Sequence, residues 1–331
     1  MAKTAVIGMG GWGTALASLL AAAGRETVLW GRDAAKAARL AETRENAEYL
    51  PGVSIPGGLS VTSDLGAAVS GAETVICAVP SRGFRAAVRA FAPYVAGGAL
   101  VVSASKGFEE DTLKRLSIVA AEELPKARIA CLSGPGHAEE VARGGPTAYV
   151  AASPVVADAE FLQELLSGPA FRVYANTDIT GVELGGALKN VVALATGMSD
   201  GMGYGDNARA ALMTRGIAEI ARLGVALGAK PETFSGLSGI GDLIVTCASM
   251  HSRNRRAGIL LGQGVPLAEA LAAVHSTVEG VVTARSALTL AREHGVETPI
   301  ISAVCGVAFG GRPPRDMVDS LMNRDRKREG W

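Results

Sequence analysis

Short β-branched runs alternate with amphipathic stretches through the first half of the chain. Strands are predicted at Thr4–Ile7, Thr27–Trp30, Thr74–Val79, Leu100–Ser103, Arg128–Leu132, Ala148–Ala152 and Phe171–Tyr174. Between them, Arg82–Ala92, Thr112–Glu123 and Asp158–Leu166 carry helical spacing. Such alternation predicts βαβ units and a mostly parallel sheet covered on both faces. After Asn176-Thr177-Asp178, a suitable helix N-cap cluster, the strand signal fades. Ala, Leu and Gly at helical spacing then predict helices at Ile179–Ser199, Asn207–Leu227, Arg253–Leu261, Leu267–Ala273, Glu279–His294 and Ile300–Val307. The pattern divides the chain into an α/β domain over 1–178 and an all-helical domain over 179–331.

The uncharged run from Thr4 to Gly24 is 21 residues long, the length of a membrane span. Gly8, Gly10, Gly11 and Gly13 interrupt it where an apolar helix should be continuous. They divide it into strand, glycine turn and Ala/Leu helix, which argues against a signal peptide or an anchor. No other segment is long enough to span a bilayer.

Composition narrows the classes further. Apolar residues make up 48% of the 331 and charged residues 19%, which excludes a disordered chain. Lys plus Arg balances Asp plus Glu at 32 each, so the net charge calls for neither nucleic acid nor an anionic membrane. Cys77, Cys131, Cys247 and Cys305 lie far apart with no C-x-x-C pair. They read as reduced, mostly buried thiols of a cytoplasmic protein and argue against zinc or any other metal site. The charged tail Arg324-Asp325-Arg326-Lys327-Arg328-Glu329 is expected to fray, its opposite charges partly cancelling.

Gly8-Met9-Gly10-Gly11-Trp12-Gly13 fits G-x-G-x-x-G between the first strand and the first helix. The first glycine permits the turn, the second lets the backbone approach a pyrophosphate, and the third lets helix and strand pack closely. The phosphate then rests on the helix N-terminus. In this context a ligand-free glycine turn is the weaker reading, and dinucleotide binding is expected. Cofactor choice turns on Gly31-Arg32-Asp33 at the end of the second strand. Asp33 has nearly the spacing of an acidic ribose ligand, yet it also suits the N-cap of the helix beginning at Ala34. If it caps, Arg32 is left to pair with a 2′-phosphate. NADP(H) is therefore expected ahead of NAD(H).

Pro80-Ser81, Lys106-Gly107 and Gly134-Pro135-Gly136 follow later strand ends, where open α/β sheets bind ligands. Lys106 reads as a ligand residue rather than a solvated lysine, whereas nothing marks His137 as a catalytic base. Lys189 sits in Gly185-Gly186-Ala187-Leu188-Lys189-Asn190-Val191-Val192, an almost wholly apolar helix, and no i,i+4 ion pair accounts for it. Two readings stand level. Its stem covers apolar surface while its amine reaches water, or a desolvated amine with a lowered pKa exchanges a proton with a carbonyl or hydroxyl oxygen. Asp242, beside glycines, is either a turn residue or a partner of Lys189. Ser252-Arg253-Asn254-Arg255-Arg256 is either a solvated helix face or a phosphate cradle of N–H groups, a guanidinium and an amide.

These segments together resemble the bacterial NAD(P)-dependent glycerol-3-phosphate dehydrogenases over nearly the whole chain. The resemblance runs through Gly13-Thr14-Ala15, Leu29-Trp30-Gly31, Tyr49-Leu50-Pro51, Ser105-Lys106-Gly107, Ser133-Gly134-Pro135, Gly185–Asn190, Gly241-Asp242-Leu243, Ser252–Arg256 and Val278-Glu279-Gly280. It implies a Rossmann domain with a mostly parallel sheet followed by an all-helical substrate and dimerisation domain, in a homodimer. It implies Lys189 as proton donor and acceptor, with Lys106, Gly134, Gly136, Asp242, Ser252, Arg253 and Asn254 lining the site of a small phosphorylated substrate. Gly8, Gly10, Gly11, Trp12, Gly13, Arg32, Lys106, Ala138, Arg253, Thr277 and Glu279 would touch the nicotinamide cofactor, and Tyr49 is a further candidate.

Two positions depart from the family pattern. Gly11 stands where Ser is usual, which removes a hydroxyl contact, and Gly136 stands where Thr, Ser or Asn is usual, which leaves only the amide. The implied reaction passes hydride to C2 of dihydroxyacetone phosphate and yields sn-glycerol 3-phosphate for phospholipid synthesis. The rivals are a related Rossmann dehydrogenase of a hydroxy acid or acyl-CoA, and a non-catalytic NADPH-sensing regulator.

Overall fold

The computed structural model describes residues 2–274, 277–325 and 328. It divides into two compact units, one of residues 1–109 and 114–179 and one of residues 110–113 and 180–331.

The first unit holds one eight-stranded sheet: β1 (Lys3–Ile7), β2 (Thr27–Trp30), β3 (Ser60–Thr62), β4 (Ala72–Cys77), β5 (Leu100–Ser103), β6 (Arg128–Ser133), β7 (Thr147–Ala152) and β8 (Phe171–Asn176). Their order is β3-β2-β1-β4-β5-β6-β7-β8. Every neighbouring pair is parallel except β6 and β7. The order reverses between β1 and β4, so the crevice at their carboxyl ends is where a Rossmann-type sheet receives its ligand. Seven helices accompany the strands: α1 (Gly11–Ala22), α2 (Ala34–Thr43), α3 (Leu65–Val69), α4 (Phe84–Phe91), α5 (Leu116–Glu123), α6 (Ala138–Ala142) and α7 (Val156–Leu166).

Alternation along the strands sorts the core into two layers. Val6, Leu29, Ile76 and Val102 pack with Leu16, Leu20 and Leu162 of α1 and α7. Their neighbours Ala5, Ile7, Val75 and Val101 pack on the opposite face with Phe84, Val88 and Val119 of α4 and α5. Both faces are therefore covered, which is why these strands read as continuous apolar runs.

The second unit is helical: α8 (Ile179–Gly201), α9 (Asp206–Ala226), α10 (Asp242–Ala248), α11 (Arg253–Gly262), α12 (Leu267–Val274), α13 (Glu279–Glu293), α14 (Pro299–Gly310) and α15 (Pro314–Met322). A 3-10 turn at Pro231–Ser235 and a π turn at Leu237–Gly241 lead into α10. The long α8 packs on α11 through backbone. An added Cβ on Gly197 would lie 2.2 Å from the Arg255 carbonyl oxygen, and one on Gly258 would lie 2.2 Å from that of Leu194. Among the described residues no helix is long and apolar enough to cross a membrane.

Several expected boundaries are corrected. The strand expected to reach Val79 stops at Cys77: the Ala78 amide makes the last ladder bond, to the Ile7 carbonyl, and Pro80 has no N–H to continue it. The helix expected from Thr112 begins only at Leu116, since Leu113 is left-handed at φ 58° and Phe108 bridges to Arg115 across the loop. β3, α3, α10 and α15 carry no expectation from the sequence. The fraying expected of residues 324–329 falls partly outside the described residues, and Arg324 pairs with Glu297 at 2.7 Å. The four cysteines are free and buried.

Candidate active site

In the first unit the glycine loop leaves β1 and turns into α1. Gly8 has φ 119°, and a Cβ there would lie 2.6 Å from the Ala78 carbonyl oxygen. A Cβ on Gly13 would lie 1.9 Å from the Gly8 oxygen, so helix and strand meet backbone to backbone. Gly10, by contrast, faces open space. It occupies the N-cap of α1 with no side-chain cap bond, and no acidic residue stands in the first turn. The N–H groups of that turn and the helix dipole together suit a pyrophosphate, so the loop fits a dinucleotide.

Asn46 fixes the loop from behind. Its Nδ2 donates to the Met9 carbonyl at 3.1 Å and to Thr14 Oγ1 at 2.8 Å. The segment after Asn46 brings the Tyr49 carbonyl within 3.2 Å, and the Ala138 side chain within 3.4 Å, of where a Gly11 Cβ would stand. A side chain there would need the Tyr49 segment to give by a few tenths of an ångström. Asn46 carried no signal in the sequence, because its partners lie 37 and 32 residues away.

Asp33 is a cap: its Oδ1 accepts from the Lys36 amide at 3.0 Å. Arg32, next to it, is exposed. Tyr49 is exposed as well, its ring 5.9 Å from the Lys36 ammonium, which pairs with Glu48 at 2.5 Å.

At the ends of β5 and β6, Ser105 Oγ donates to the Val79 carbonyl at 2.6 Å and ties two strand ends together. Lys106 Nζ donates to the Gly134 carbonyl at 3.0 Å, so the lysine and the Gly134–Gly136 loop are joined. His137 stands at the N-cap of α6 and makes no side-chain cap bond there; Ala138 opens that helix.

In the second unit Lys189 lies on α8. It is buried, with 7% of its surface exposed. Nζ donates to Asp242 Oδ1 at 2.5 Å and to Thr246 Oγ1 at 2.5 Å. Both acceptors lie on α10 one turn apart, hence on one face. Asp242 is correspondingly no turn residue: it opens α10, where the helix dipole favours its charge. The carboxylate compensates the buried charge of the amine. Thr246 was missed, although its spacing from Asp242 would have placed it once α10 was recognised.

The arginine cluster divides. Arg253 and Arg256 are exposed, whereas Arg255 is buried, its Nε and a terminal nitrogen each 2.8 Å from Asp200 Oδ2. Ser252 caps α11, its Oγ accepting from the Arg255 amide at 3.2 Å. Asn254 Nδ2 donates to Asn190 Oδ1 at 2.9 Å, and its Oδ1 accepts from the Gly280 amide at 2.8 Å. The amide expected to cradle phosphate thus ties α11 to α8 and α13. Thr277 is exposed ahead of α13, and the half-buried Glu279 is the first residue of that helix.

Comparisons with known proteins agree with this architecture. Residues 3–159 match the family described as NAD-dependent glycerol-3-phosphate dehydrogenase N-terminus, and residues 178–319 match the corresponding C-terminus. The chain is 56% identical over 325 residues to a glycerol-3-phosphate dehydrogenase [NAD(P)+] of Moorella thermoacetica, covering 98% of this chain and 97% of the other. It is 52% identical over 330 residues to the protein of that name from Pelotomaculum thermopropionicum, covering 99% and 95%. A solved glycerol-3-phosphate dehydrogenase from Coxiella burnetii superposes with TM-score 0.93 at 38% identity, covering 98% of this chain and 99% of that one.

Proposed function

The chain belongs to the NAD-dependent glycerol-3-phosphate dehydrogenase family, and we propose that it interconverts dihydroxyacetone phosphate and sn-glycerol 3-phosphate. The observation that carries this reading is the Lys189 amine, buried in an apolar helix and held by Asp242 and Thr246. NAD(P)H, when bound, supplies the hydride. The glycine loop, Trp12, Tyr49 and Ala138 would hold it from the first unit, and Arg253, Thr277 and Glu279 are the candidates from the second.

Reduction of the C2 carbonyl develops negative charge on its oxygen. Lys189 protonates that oxygen as an ammonium, and in the reverse direction its neutral amine removes the proton. Asp242 and Thr246 fix the direction of the amine. Lys106, positioned by the Gly134 carbonyl, is the residue we assign to adding positive charge at the substrate carbonyl, a preorganised contribution of several kcal/mol. The substrate phosphate rests on the N-terminal turn of α11, with Ser252 as cap and Arg253 as counter-charge. Asn254 contributes its main-chain N–H and keeps α11 in place through Asn190 and Gly280. Gly136 offers its amide to the substrate.

NADPH is the preferred cofactor in this reading, because Asp33 is engaged as a cap and Arg32 remains for a 2′-phosphate. NADH is accepted less well. On family resemblance we further assign a homodimer, a cytoplasmic enzyme and a product destined for phospholipid synthesis. The test is to follow NADPH and NADH absorbance with dihydroxyacetone phosphate beside a panel of 2-keto acids and acyl-CoA substrates. Oxidation with the keto acids or acyl-CoAs alone, or with no carbonyl at all, would overturn the reading.

A further inference from the structure

Tyr149 has no role in the reaction as derived so far, yet it stands among four residues that do. It lies on β7 inside the first unit and is 1% exposed. Its ring stacks on Trp12 of the glycine loop, with centroids 4.9 Å apart and planes 20° apart. The Lys106 ammonium sits 5.8 Å from the same ring's centroid, within cation–π range. An added Cβ on Gly136 would lie 2.8 Å from Tyr149 Cε2 and 3.2 Å from its hydroxyl oxygen. Gly134 is equally constrained, since a Cβ there would lie 2.9 Å from Tyr149 Cα.

We propose that Tyr149 is a positioning residue, a rigid platform that sets the Lys106 ammonium and the Gly134–Gly136 loop in place and requires glycine at position 136. The ring has one face on Trp12, an edge against Gly136, and Phe171 packed at 5.2 Å. It cannot rotate away without opening a void. Lys106 is then fixed at two points, by the Gly134 carbonyl and by the ring's electron-rich face. A long, flexible lysine anchored in this way loses less freedom when it meets the developing alkoxide. Gly136 has no side chain to offer the substrate, and a better-placed cation stands in for one.

This inference rests on the assignment of Lys106 to the substrate carbonyl made above. Steady-state kinetics with NADPH and dihydroxyacetone phosphate, together with thermal unfolding, test it on wild type, Tyr149→Phe, Tyr149→Val, Gly136→Ala and the Gly136→Ala/Tyr149→Val double variant. Tyr149→Val should raise KM for dihydroxyacetone phosphate about fivefold, as expected when a partly exposed cation–π interaction is removed, and Tyr149→Phe should keep it within about twofold of wild type. Gly136→Ala should lower kcat/KM about tenfold in the wild-type background but about twofold or less once the ring is gone, a coupling between neighbouring sites. If Tyr149→Val does not fold, Tyr149→Leu, which keeps more of the volume, takes its place in the same comparison.

A variant that only lowers the unfolding temperature, leaving KM and kcat at wild-type values, would overturn the proposal. So would a cost of Gly136→Ala that is the same in both backgrounds. Wild-type protein without turnover of dihydroxyacetone phosphate would sink the parent reading, and this inference with it. Turnover by wild type with unchanged constants in the Tyr149 variants would sink this inference alone.

Discussion

Lys189 on α8 donates to the carboxylate of Asp242 on α10 at 2.5 Å, although 53 residues separate them in the chain. Each explains the other's burial: 7% and 1% exposed, neither ion would be tolerated alone in that interior. The pair keeps a cation in an apolar helix without dispersing its charge into solvent. It also directs the amine, a requirement for proton transfer within hydrogen-bond reach.

Lys189→Ala should therefore lower kcat by about 10²–10⁴, the usual worth of general acid–base catalysis. NADPH affinity, measured by fluorescence titration, should stay within about twofold, since the proposed site of the cofactor's phosphates is the first unit's helix N-terminus. The same variant takes the ammonium away from the buried Asp242 carboxylate, a loss of about 3–5 kcal/mol in denaturant unfolding. Adding Asp242→Asn should recover stability without recovering turnover. Wild-type kcat in Lys189→Ala would reject the assignment.

Arg253 is exposed at the start of α11, where it can meet a dianionic phosphate. Arg253→Ala should raise KM for dihydroxyacetone phosphate by about 10–100-fold, the worth of one or two charge-assisted hydrogen bonds. Arg255→Ala should instead act on stability, because Arg255 is tied to Asp200 and to the Ala248 carbonyl at 2.6 Å. Kinetics and thermal unfolding of the two variants separate the roles, and equal effects on both readouts would contradict them.

Arg32 is the residue on which the preference for NADPH rests. Arg32→Ala should cut kcat/KM for NADPH by about 10–100-fold by removing a charge-assisted hydrogen bond to the 2′-phosphate. It should leave NADH nearly unaffected. A parallel fall with both cofactors would mean that the guanidinium does not read that phosphate.

Glu219 offers a prediction about pH. It is 1% exposed, and its two carboxylate oxygens accept from the Ile300 and Ile301 amides at 2.9 and 2.8 Å, capping the start of α14. Burial pushes its pKa up to about 7, against the opposing pull of those two N–H bonds and of Arg222 and Arg324. Because the folded state holds the proton more tightly than the unfolded chain, stability falls as pH rises from the ordinary carboxylate range through about 7. The decline should total a few kcal/mol at most, at about 1.4 kcal/mol per unit. In Glu219→Gln this component should vanish, so the wild type loses unfolding temperature relative to the variant between pH 5 and pH 8. A gap that stays constant with pH would contradict the assignment.

The contact between α8 and α11 should tolerate no side chain. Gly258→Ala places a methyl group 2.2 Å from the Leu194 carbonyl, so the helices must separate. A loss of about 1–3 kcal/mol is expected from such overpacking, visible as a fall of several degrees in the unfolding temperature. An unfolding temperature equal to that of wild type would show that the helices can adjust.

Local pattern alone determined that β-branched runs such as Leu100–Ser103 are strands, that Ala and Leu at helical spacing make α8, and that Gly8, Gly10 and Gly13 form a turn between strand and helix. These follow from sterics and periodicity acting over a few residues, and the chain carries that information directly. Whether Lys189 and Asp242 meet was decided only by tertiary structure. The answer depends on α10, which folding brings against α8 from 53 residues away. Asn46, Tyr149 and Glu219 left no trace in local pattern for the same reason. Their chemistry comes from partners far away in sequence, and a hydrogen bond or a stacked ring has no periodicity to read.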